Sequence, residues 1–273
     1  MSSTRSFRHI RPRNADVGLE MRLNPTSFEG TNYVITEFPR PALRRVPNAP
    51  IETFDDALVQ KTKEMFTVMY GCKGVGLAAP QIGLNEMLFV SNPSGDIDMK
   101  NMERVVCNPV ITEYSKEVDV EEEACLSLRS DFCPGLVARF SWIQVEYQNE
   151  LGQKIRRRLK GFEARVFQHE YDHLMGILCY DRFPPENRQA IRANIEELLK
   201  AYPEKDALVD PVPKQYDAMK PPPLTARQMA PLLEEENEAE APKKKKAAPA
   251  KTGFGGAGSS SQKSKTKKKR NKK

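Results

Sequence analysis

The segment His169-Glu170-Tyr171-Asp172-His173 places two imidazoles four residues apart, with a carboxylate directly after the first. Positions i and i+4 share one face of a helix, so both imidazoles can bind a single metal ion. Glu170 would then lie close enough to act as general base on a water molecule that the metal activates. His9 is the only other histidine in the chain. The segment therefore favours a central helix with a catalytic metal site over a solvated helix with incidental histidines.

The third protein ligand that a catalytic metal of this kind usually has could be either of two cysteines. Cys179 lies six residues after His173, where the longer metzincin protease pattern has a third histidine. Cys125 lies in the segment Glu123-Ala124-Cys125-Leu126-Ser127, after an acidic run. A buried thiol with a purely structural role is the alternative for each of them. Spacing does not choose between the two cysteines.

Another segment, Gly74-Val75-Gly76-Leu77-Ala78-Ala79-Pro80-Gln81, is rich in small residues. On its own it is consistent with a packing turn or with backbone that closely approaches a ligand. It does not fit a phosphate-binding loop, because no Gly-Lys-Ser/Thr follows it.

Taken together, these three segments resemble the motifs of the peptide deformylase family. Those motifs run Gly-aliphatic-Gly-aliphatic-Ala-Ala-x-Gln, Glu-Gly-Cys-aliphatic-Ser and His-Glu-x-x-His, in that order. The first and third match fully, and the second matches in four of five positions because Ala124 replaces the usual glycine. Leu128-Arg129 also replaces an aliphatic-proline pair that often follows the second motif. The resemblance covers residues 33–202.

The resemblance implies a hydrolase that removes the formyl group from the N-terminal formyl-methionine of newly synthesised proteins. It implies one divalent metal, usually ferrous iron in this family, with zinc, nickel or cobalt as substitutes. It assigns the metal to Cys125, His169 and His173, so that Cys179 is not a ligand. It assigns the general base to Glu170.

The remaining implied roles concern the transition state and the substrate. The Gln81 side-chain amide and the Leu126 backbone N–H would stabilise the tetrahedral oxyanion. The implied substrate contacts are Gly74, Val75, Gly76, Ala124, Phe162 and Val166. Among these, Gly76 would allow close approach of the formyl-methionine. Phe162 and Val166 would wall the methionine pocket, and plain core packing is the alternative for both.

Hydrophobic periodicity predicts an α+β fold, with mixed or antiparallel strands around the helix that carries His169. A helix over about 54–70 would begin at a capping box of Thr53 and Asp56 and end at a left-handed Gly71. A second predicted helix starts near Phe162 and stops at Gly176. A third predicted helix spans Pro185–Tyr202. The predicted strands are Met87–Val90, Arg104–Val110, Trp142–Tyr147 and, after a turn at Gln148–Gly152, Gln153–Lys160.

The domain organisation predicted from composition has three parts. Residues 1–32 form an N-terminal extension, residues 33–204 the catalytic domain, and residues 205–273 a tail that is too polar to fold. The chain has 273 residues, and no apolar run approaches the roughly 18 residues that span a bilayer, which argues against a membrane protein.

The net charge of +6 hides a segregation of charge along the chain. Residues 241–273 contain thirteen Lys and Arg and no acid, whereas the other 240 residues carry 30 basic and all 37 acidic side chains, a net of −7. Attraction to nucleic acid therefore belongs to the tail. Ribosomal RNA is the expected polyanion, and a solvating tail without a partner is the alternative.

The cellular compartment is predicted from the cysteines and from the N-terminus. Five cysteines without a disulfide framework favour a reducing compartment. The first fifteen residues contain four arginines, three serines and no acid, which is typical of an organellar transit segment. An unstructured N-terminus is the alternative. Formyl-methionine initiation limits the location to organelles or a bacterial-type cytoplasm, and we expect an organelle, with the plastid ahead of the mitochondrion.

Two other classes of function compete with the deformylase hypothesis. The first is a metalloprotease with the His-Glu-x-x-His motif, which leaves Gly74–Gln81 unexplained. The second is a non-catalytic RNA- or ribosome-binding protein that works through its tail, which leaves Cys125, Glu170 and both histidines unexplained.

Overall fold

Seven strands and five α-helices form the part of the chain that the computed structural model describes, residues 23–202 and 204. The strands are β1 (Gly76–Ala78), β2 (Leu88–Ser91), β3 (Arg104–Tyr114), β4 (Val118–Glu123), β5 (Gly135–Phe140), β6 (Trp142–Gln148) and β7 (Lys154–Lys160). The helices are α1 (Asp56–Gly71), α2 (Gly161–Leu174), α3 (Cys179–Arg182), α4 (Pro185–Ala190) and α5 (Arg192–Lys200). The predicted transit segment and the predicted disordered tail, residues 205–273, lie outside the described residues.

Two antiparallel sheets organise the described chain. Five strands form one sheet in the order β1-β2-β3-β6-β7, and β4 pairs with β5 in a second sheet. In the larger sheet Leu77 lies opposite Val90, and Ile143 lies opposite Leu159. Strands joined by antiparallel pairing, with helices packed against them, confirm the predicted α+β class.

Helix α2 packs one face against the larger sheet. Phe167 makes an edge-to-face contact with Phe89 of β2, with ring centroids 5.0 Å apart. Ala164 and Leu174 are buried in the same cluster. Each large apolar side chain buried in this way contributes roughly 1.5–3 kcal/mol. The packing fixes the rotation of α2 and thereby positions the side chains on its other faces.

Helix α1 packs against the larger sheet through a separate apolar cluster. Met65, Val68 and Met69 are fully buried there, together with Leu77 of β1 and Leu88 of β2. The predicted helix over about 54–70 is therefore confirmed, and its first residue is Asp56.

The predicted ends of α1 are wrong in detail. The N-cap is Asp55, whose carboxylate accepts a hydrogen bond from the Leu58 N–H at 3.0 Å, so no capping box of Thr53 and Asp56 forms. Gly71 is the last helical residue. The left-handed conformation occurs two residues later, at Lys73, which has φ of 59°. Phe28 packs directly against Gly71, where an added Cβ would lie 2.6 Å from its ring.

The predicted C-terminal helix over Pro185–Tyr202 is interrupted. Ile191 has φ of −97° and ψ of 9°, which separates α4 from α5. Ile191, Ile195 and Leu198 are nevertheless buried in one cluster. These apolar residues therefore form one buried stripe that continues across a break in the backbone helix. The predicted stop at Gly176 is confirmed by its φ of 70°.

Three strands and one helix were not predicted: β1, β4, β5 and α3. β1 and α3 contain only three and four residues. β4 is strongly acidic and was read as an acidic run. None of the helices within residues 23–202 reaches the length and hydropathy that a bilayer-spanning helix requires.

Candidate metal centre

Cys125, His169 and His173 converge in one cluster. One potential ligand atom from each residue lies within 4.8 Å of the other two. The Cys125 Sγ is 3.4 Å from the His173 Nε2, and the two imidazole centroids are 5.1 Å apart. Both histidines come from α2, because positions i and i+4 share a face. Within the described part of the chain, this is the only group of His, Cys, Asp or Glu side chains with such spacing, and Cys179 is not in it.

Cys125 is held by the backbone turn that follows it. Leu126–Leu128 form a short 3-10 helix, and the Cys125 carbonyl accepts hydrogen bonds from the N–H groups of Leu128 and Ser130, both at 2.9 Å. Arg129 adopts a left-handed conformation with φ of 57° and pairs with Glu37 at 2.8 Å. Proline cannot adopt this φ. Proline at position 129 would therefore require a different backbone conformation, and Arg129 supplies an ion pair with Glu37 that proline could not make.

Glu123 orients the first imidazole. Its Oε2 lies 2.9 Å from the His169 Nδ1, so a protonated Nδ1 donates to the carboxylate and the Nε2 is the ring nitrogen left for the cluster. Burial opposes ionisation of Glu123, but the guanidinium of Arg139, with hydrogen bonds at 2.8 Å, outweighs it and holds the pKa of Glu123 well below its usual range. Glu123 is therefore a carboxylate, the form that accepts this hydrogen bond.

A buried network of ion pairs extends away from Glu123. Arg165 donates to Glu123 at 2.8 Å, and Arg139 pairs also with Asp172, which in turn pairs with Arg182. Removing one partner from a buried ion pair typically costs about 3–5 kcal/mol, because a buried charge is left unpaired. The network therefore ties the position of His169 to β4, β5 and α3. Sequence reasoning did not identify it, because its members are far apart in the chain and have no common spacing.

Gln81 directs its amide toward the cluster. Its Oε1 accepts a hydrogen bond from the Ala78 N–H at 2.8 Å, which fixes the orientation of the amide. Its Nε2 lies 3.6 Å from the Cys125 Sγ and 3.4 Å from the Ser127 Oγ. The structure thus places a buried N–H donor beside the cluster, as the predicted role of Gln81 requires.

Glu170 lies beside the cluster on the next position of α2. It is 4% exposed, and its Oε2 makes no hydrogen bond with any described residue. Burial raises the pKa of Glu170 to about 7. A buried carboxylate oxygen without a protein partner is suited to accept and release a proton near neutral pH.

Gly76 makes room for Glu170. A Cβ at Gly76 would lie 2.3 Å from the Glu170 Oε1 and 2.7 Å from its carboxyl carbon. The sequence suggested that Gly76 lets the substrate approach closely. In the structure, the Glu170 carboxylate occupies the space that a side chain at position 76 would need.

Gly76→Ala is therefore expected to displace the Glu170 carboxylate. We expect catalytic efficiency to fall by about ten- to a hundredfold, since a displacement of about 1 Å can have an effect of this size. Metal content should stay at the wild-type level, because no ligand moves directly. Metal analysis and steady-state kinetics on the same preparation would check this. Unchanged kinetics would show that the position of Glu170 does not matter for the reaction.

Cys179 lies next to Cys125 although it is outside the metal cluster. Both side chains are buried in one apolar cluster, at 2% and 1% exposure. A hydrogen bond from the Cys179 thiol lowers the pKa of Cys125 well below its usual range. The same hydrogen bond raises the pKa of Cys179 well above its usual range. Cys125 is thus the thiolate of the pair, and Cys179 is the proton donor.

The residues predicted to contact substrate differ in exposure. Gly74 and Val75 are half-buried just before β1, and a Cβ at Gly74 would lie 3.1 Å from the Leu126 side chain. Ala124 is exposed between buried Glu123 and buried Cys125. Two further residues come from the first turns of α2: Val166 is 5% exposed, and Phe162 is 44% exposed. Leu126 follows Cys125 directly and is buried.

The chemistry of the cluster fits a divalent metal. A thiolate and two imidazoles form a donor set that suits zinc, iron, nickel or cobalt. Glu123 engages the Nδ1 of His169, which leaves the Nε2 as the candidate ligand atom, and the Glu170 Oε2, which has no hydrogen-bond partner among the described residues, lies beside the cluster. Three protein ligands would leave an open coordination position, as catalytic sites require.

Comparison with known proteins gives a consistent result. A family model described as polypeptide deformylase matches residues 33–189. The chloroplastic peptide deformylase 1B of Oryza sativa is 43% identical over 180 residues, which cover 65% of this chain and 64% of that protein. The chloroplastic/mitochondrial peptide deformylase 1B of Arabidopsis thaliana is 39% identical over 191 residues, 69% of this chain and 67% of that protein. This chain thus spans about two thirds of the length of both plant relatives.

A solved structure shares the fold. The peptide deformylase of Plasmodium falciparum superimposes with a TM-score of 0.60 at 34% identity, covering 64% of this chain and 99% of that one.

Proposed function

The chain belongs to the polypeptide deformylase family, and we propose that it removes the formyl group from the N-terminal formyl-methionine of newly synthesised proteins. The observation that carries this proposal is the juxtaposition of the Cys125, His169 and His173 cluster with the buried carboxylate of Glu170, whose Oε2 has no hydrogen-bond partner among the described residues. The reaction is hydrolysis of a linear amide with release of formate. Such a reaction needs an activated water, a proton acceptor and a donor to the developing oxyanion.

Cys125, His169 and His173 would hold one divalent metal. The metal supplies Lewis acidity and lowers the pKa of water toward about 7. Ferrous iron is the family's usual ion, and zinc, nickel or cobalt are substitutes with the same donor preferences. Glu123 keeps the Nδ1 of His169 protonated, so that its Nε2 is available as a ligand.

Protein groups transfer the proton and stabilise the oxyanion. Glu170 accepts a proton from the attacking water and returns it to the departing amine. Its pKa of about 7 permits both steps near neutral pH. The Gln81 Nε2 and the Leu126 backbone N–H donate to the oxyanion. Loss of one such donor typically costs about 3–4 kcal/mol of transition-state stabilisation.

We assign substrate binding to residues that surround the Cys125, His169 and His173 cluster. Gly74, Val75 and Gly76 present the backbone that precedes and begins β1, and Ala124 presents an exposed edge beside Cys125. Phe162 and Val166 lie on the first turns of α2, one turn apart, and would wall the pocket for the methionine side chain.

The experiment that tests the proposed function is metal analysis together with a deformylation assay. The full chain would be purified without oxygen, because a thiolate beside ferrous iron is open to oxidation. We expect one equivalent of a divalent metal and release of formate from formyl-Met-Ala. Cleavage of internal peptide bonds without formate release would instead support a metalloprotease. Absence of both metal and turnover would contradict the proposal.

An organellar location is the best-supported one for this activity. The two plant relatives are chloroplastic and chloroplastic/mitochondrial proteins, and the arginine-rich N-terminus is typical of a transit segment. Between the two organelles we favour the plastid. Import into isolated chloroplasts and mitochondria would decide between them.

The lysine-rich tail is proposed to bind ribosomal RNA. Truncation after Tyr202 should leave turnover of short formyl peptides nearly unchanged, because every proposed site residue precedes this position. It should weaken co-sedimentation with ribosomes at low salt. The difference should shrink as salt rises, because non-specific phosphate contacts depend steeply on salt. Equal co-sedimentation of the full-length and truncated chains at low salt would leave the tail without this partner.

A further inference from the structure

The turn that follows Cys125 is held by a side chain from the start of the described chain. The Asn24 amide nitrogen donates to the Leu126 carbonyl at 2.9 Å and to the Glu37 Oε1 at 3.0 Å. Asn24 lies nine residues before the stretch 33–189 that the family model matches. Neither the sequence motifs nor the proposed reaction gives this residue a role.

We propose that Asn24 is a positioning residue for deformylation, which holds the turn that presents the Leu126 backbone N–H. The inference rests on the proposed function, in which this N–H donates to the oxyanion. Asn24 acts through Leu126 and Glu37, and it does not touch the substrate itself.

The Leu126 carbonyl receives two donors. The Arg129 N–H closes the short 3-10 helix by donating to this carbonyl at 3.0 Å, and Asn24 is the second donor. A carbonyl oxygen has two lone pairs, so both are used. In a helical turn the N–H groups point toward one end and the carbonyl groups toward the other. Asn24 therefore holds the turn from the end opposite to the Leu126 N–H, and it limits rotation of the planar peptide groups between them.

Glu37 joins Asn24 to the far end of the turn. Its Oε1 accepts from Asn24, and its Oε2 accepts from the Arg129 Nε at 3.0 Å and from the Arg129 Nη2 at 2.8 Å. Beside it, the Phe38 N–H donates to the Ser127 carbonyl at 2.8 Å. One carboxylate thus links the two ends of the turn from residue 126 to residue 129.

The two acceptors require an amide at position 24. A carboxylate and a backbone carbonyl have no proton to give, and the two N–H groups of one amide nitrogen supply both hydrogen bonds. Aspartate has the same shape as asparagine but only acceptor atoms when ionised. Asn24→Asp would therefore place a second carboxylate beside Glu37 and an acceptor against the Leu126 carbonyl.

The segment that carries Asn24 has its own anchors on α1. Phe28 packs against Gly71, and the Thr31 Oγ1 donates to the Glu64 Oε2 at 2.8 Å. Neither contact involves position 24, so a substitution there should leave the segment on α1. Thr31 is also a matched control, because it makes a side-chain hydrogen bond from the same segment to a carboxylate without reaching the turn.

The kinetic test uses full-length, metal-loaded variants and formyl-Met-Ala. We expect Asn24→Ala to lower kcat by about tenfold, which is less than the roughly hundredfold effect of a 1 Å displacement. KM should stay within about twofold, because a contact that matters only in the transition state lowers kcat and kcat/KM equally. Asn24→Asp should lose at least as much, and Asn24→Gln, which keeps the amide, should recover part of kcat. Metal content should not change, and Thr31→Val should match the wild-type chain.

Hydrogen exchange provides a readout that does not depend on turnover. Without the Asn24 donor the turn should open locally more often, so the amides of Leu128 and Arg129 should exchange several-fold faster in Asn24→Ala than in the wild-type chain or Thr31→Val. Mass spectrometry of the peptide that contains these amides would measure the change. Failure of the proposed function would appear as absence of formate release from the wild-type chain, whereas failure of this inference would appear as unchanged exchange.

Three results would overturn the positioning role. Unchanged kcat in Asn24→Ala would do so even if exchange became faster, because the contact would then serve the fold alone. A raised KM with unchanged kcat would make Asn24 a substrate-binding residue. Loss of metal would make it a support for Cys125. If Asn24→Ala did not fold, the comparison of Asn24→Asp with Asn24→Gln would decide.

Discussion

Glu170→Gln is expected to abolish deformylation while the metal content stays at the wild-type level. Glutamine has the same shape but cannot accept the proton of the attacking water. Glu170 is buried, and its Oε2 makes no hydrogen bond with any described residue, so no protein contact depends on the negative charge of this oxygen. General acid–base catalysis contributes about 10²–10⁴-fold, and here a single group serves both proton transfers. We expect residual activity of about 1% or less.

A matched control lies on the same helix. Glu163 is in the first turn of α2 and pairs with Arg157 at 3.2 Å. It is 27% exposed in its side chain, and a surface ion pair of this kind contributes at most about 1 kcal/mol. Glu163→Gln should retain near-wild-type turnover and metal. If Glu170→Gln kept more than a few per cent of the activity, the proton would have to be transferred by another group.

The metal-binding part of the site could be predicted from the sequence because its signal is local. His169 and His173 are spaced by one helical turn, and the packing of α2 against the sheet puts both on the face that meets Cys125. Spacing left Cys125 and Cys179 as equal candidates for the third ligand. The resemblance to a family favoured Cys125, and the geometry of the cluster includes Cys125 only.

The supporting part of the site could not be predicted, because it depends on contacts between distant segments. Arg139 reaches Glu123 and Asp172, which are 16 and 33 residues away in the chain. Such ion pairs leave no periodic pattern. The need for glycine at position 76 could not be predicted either. The Glu170 carboxylate that occupies the space beside Gly76 comes from α2, 94 residues later in the chain.

The interrupted C-terminal helix has a similar cause. The apolar stripe of Ile191, Ile195 and Leu198 has helical spacing and is buried in one cluster. A stripe of apolar residues indicates which face of a helix is buried. One residue outside helical geometry, Ile191, leaves the spacing of the stripe almost unchanged. The position of a break is set by tertiary packing, which the pattern of apolar residues does not contain.

Cys125→Ala is expected to remove most of the metal and, with it, the activity. The substitution deletes the thiolate and leaves two imidazoles, since no other described His, Cys, Asp or Glu side chain completes the group with His169 and His173. Loss of a partner that only orients a ligand already weakens metal binding by about 10–100-fold, so loss of the ligand itself should exceed that range. Metal analysis after dialysis and a competition titration with a chelator would measure the change.

Cys179→Ala distinguishes the two cysteines under the same conditions. Cys179 is as deeply buried as Cys125 and belongs to the same apolar cluster, but it lies outside the cluster of ligand atoms. Its removal leaves all three proposed ligand atoms in place, so metal content should stay near the wild-type level. The reverse result, metal lost from Cys179→Ala and kept in Cys125→Ala, would make Cys179 the ligand. The site would then match the protease pattern in which the third ligand follows the second histidine by six residues, and the role assigned to the Cys125 segment would be wrong.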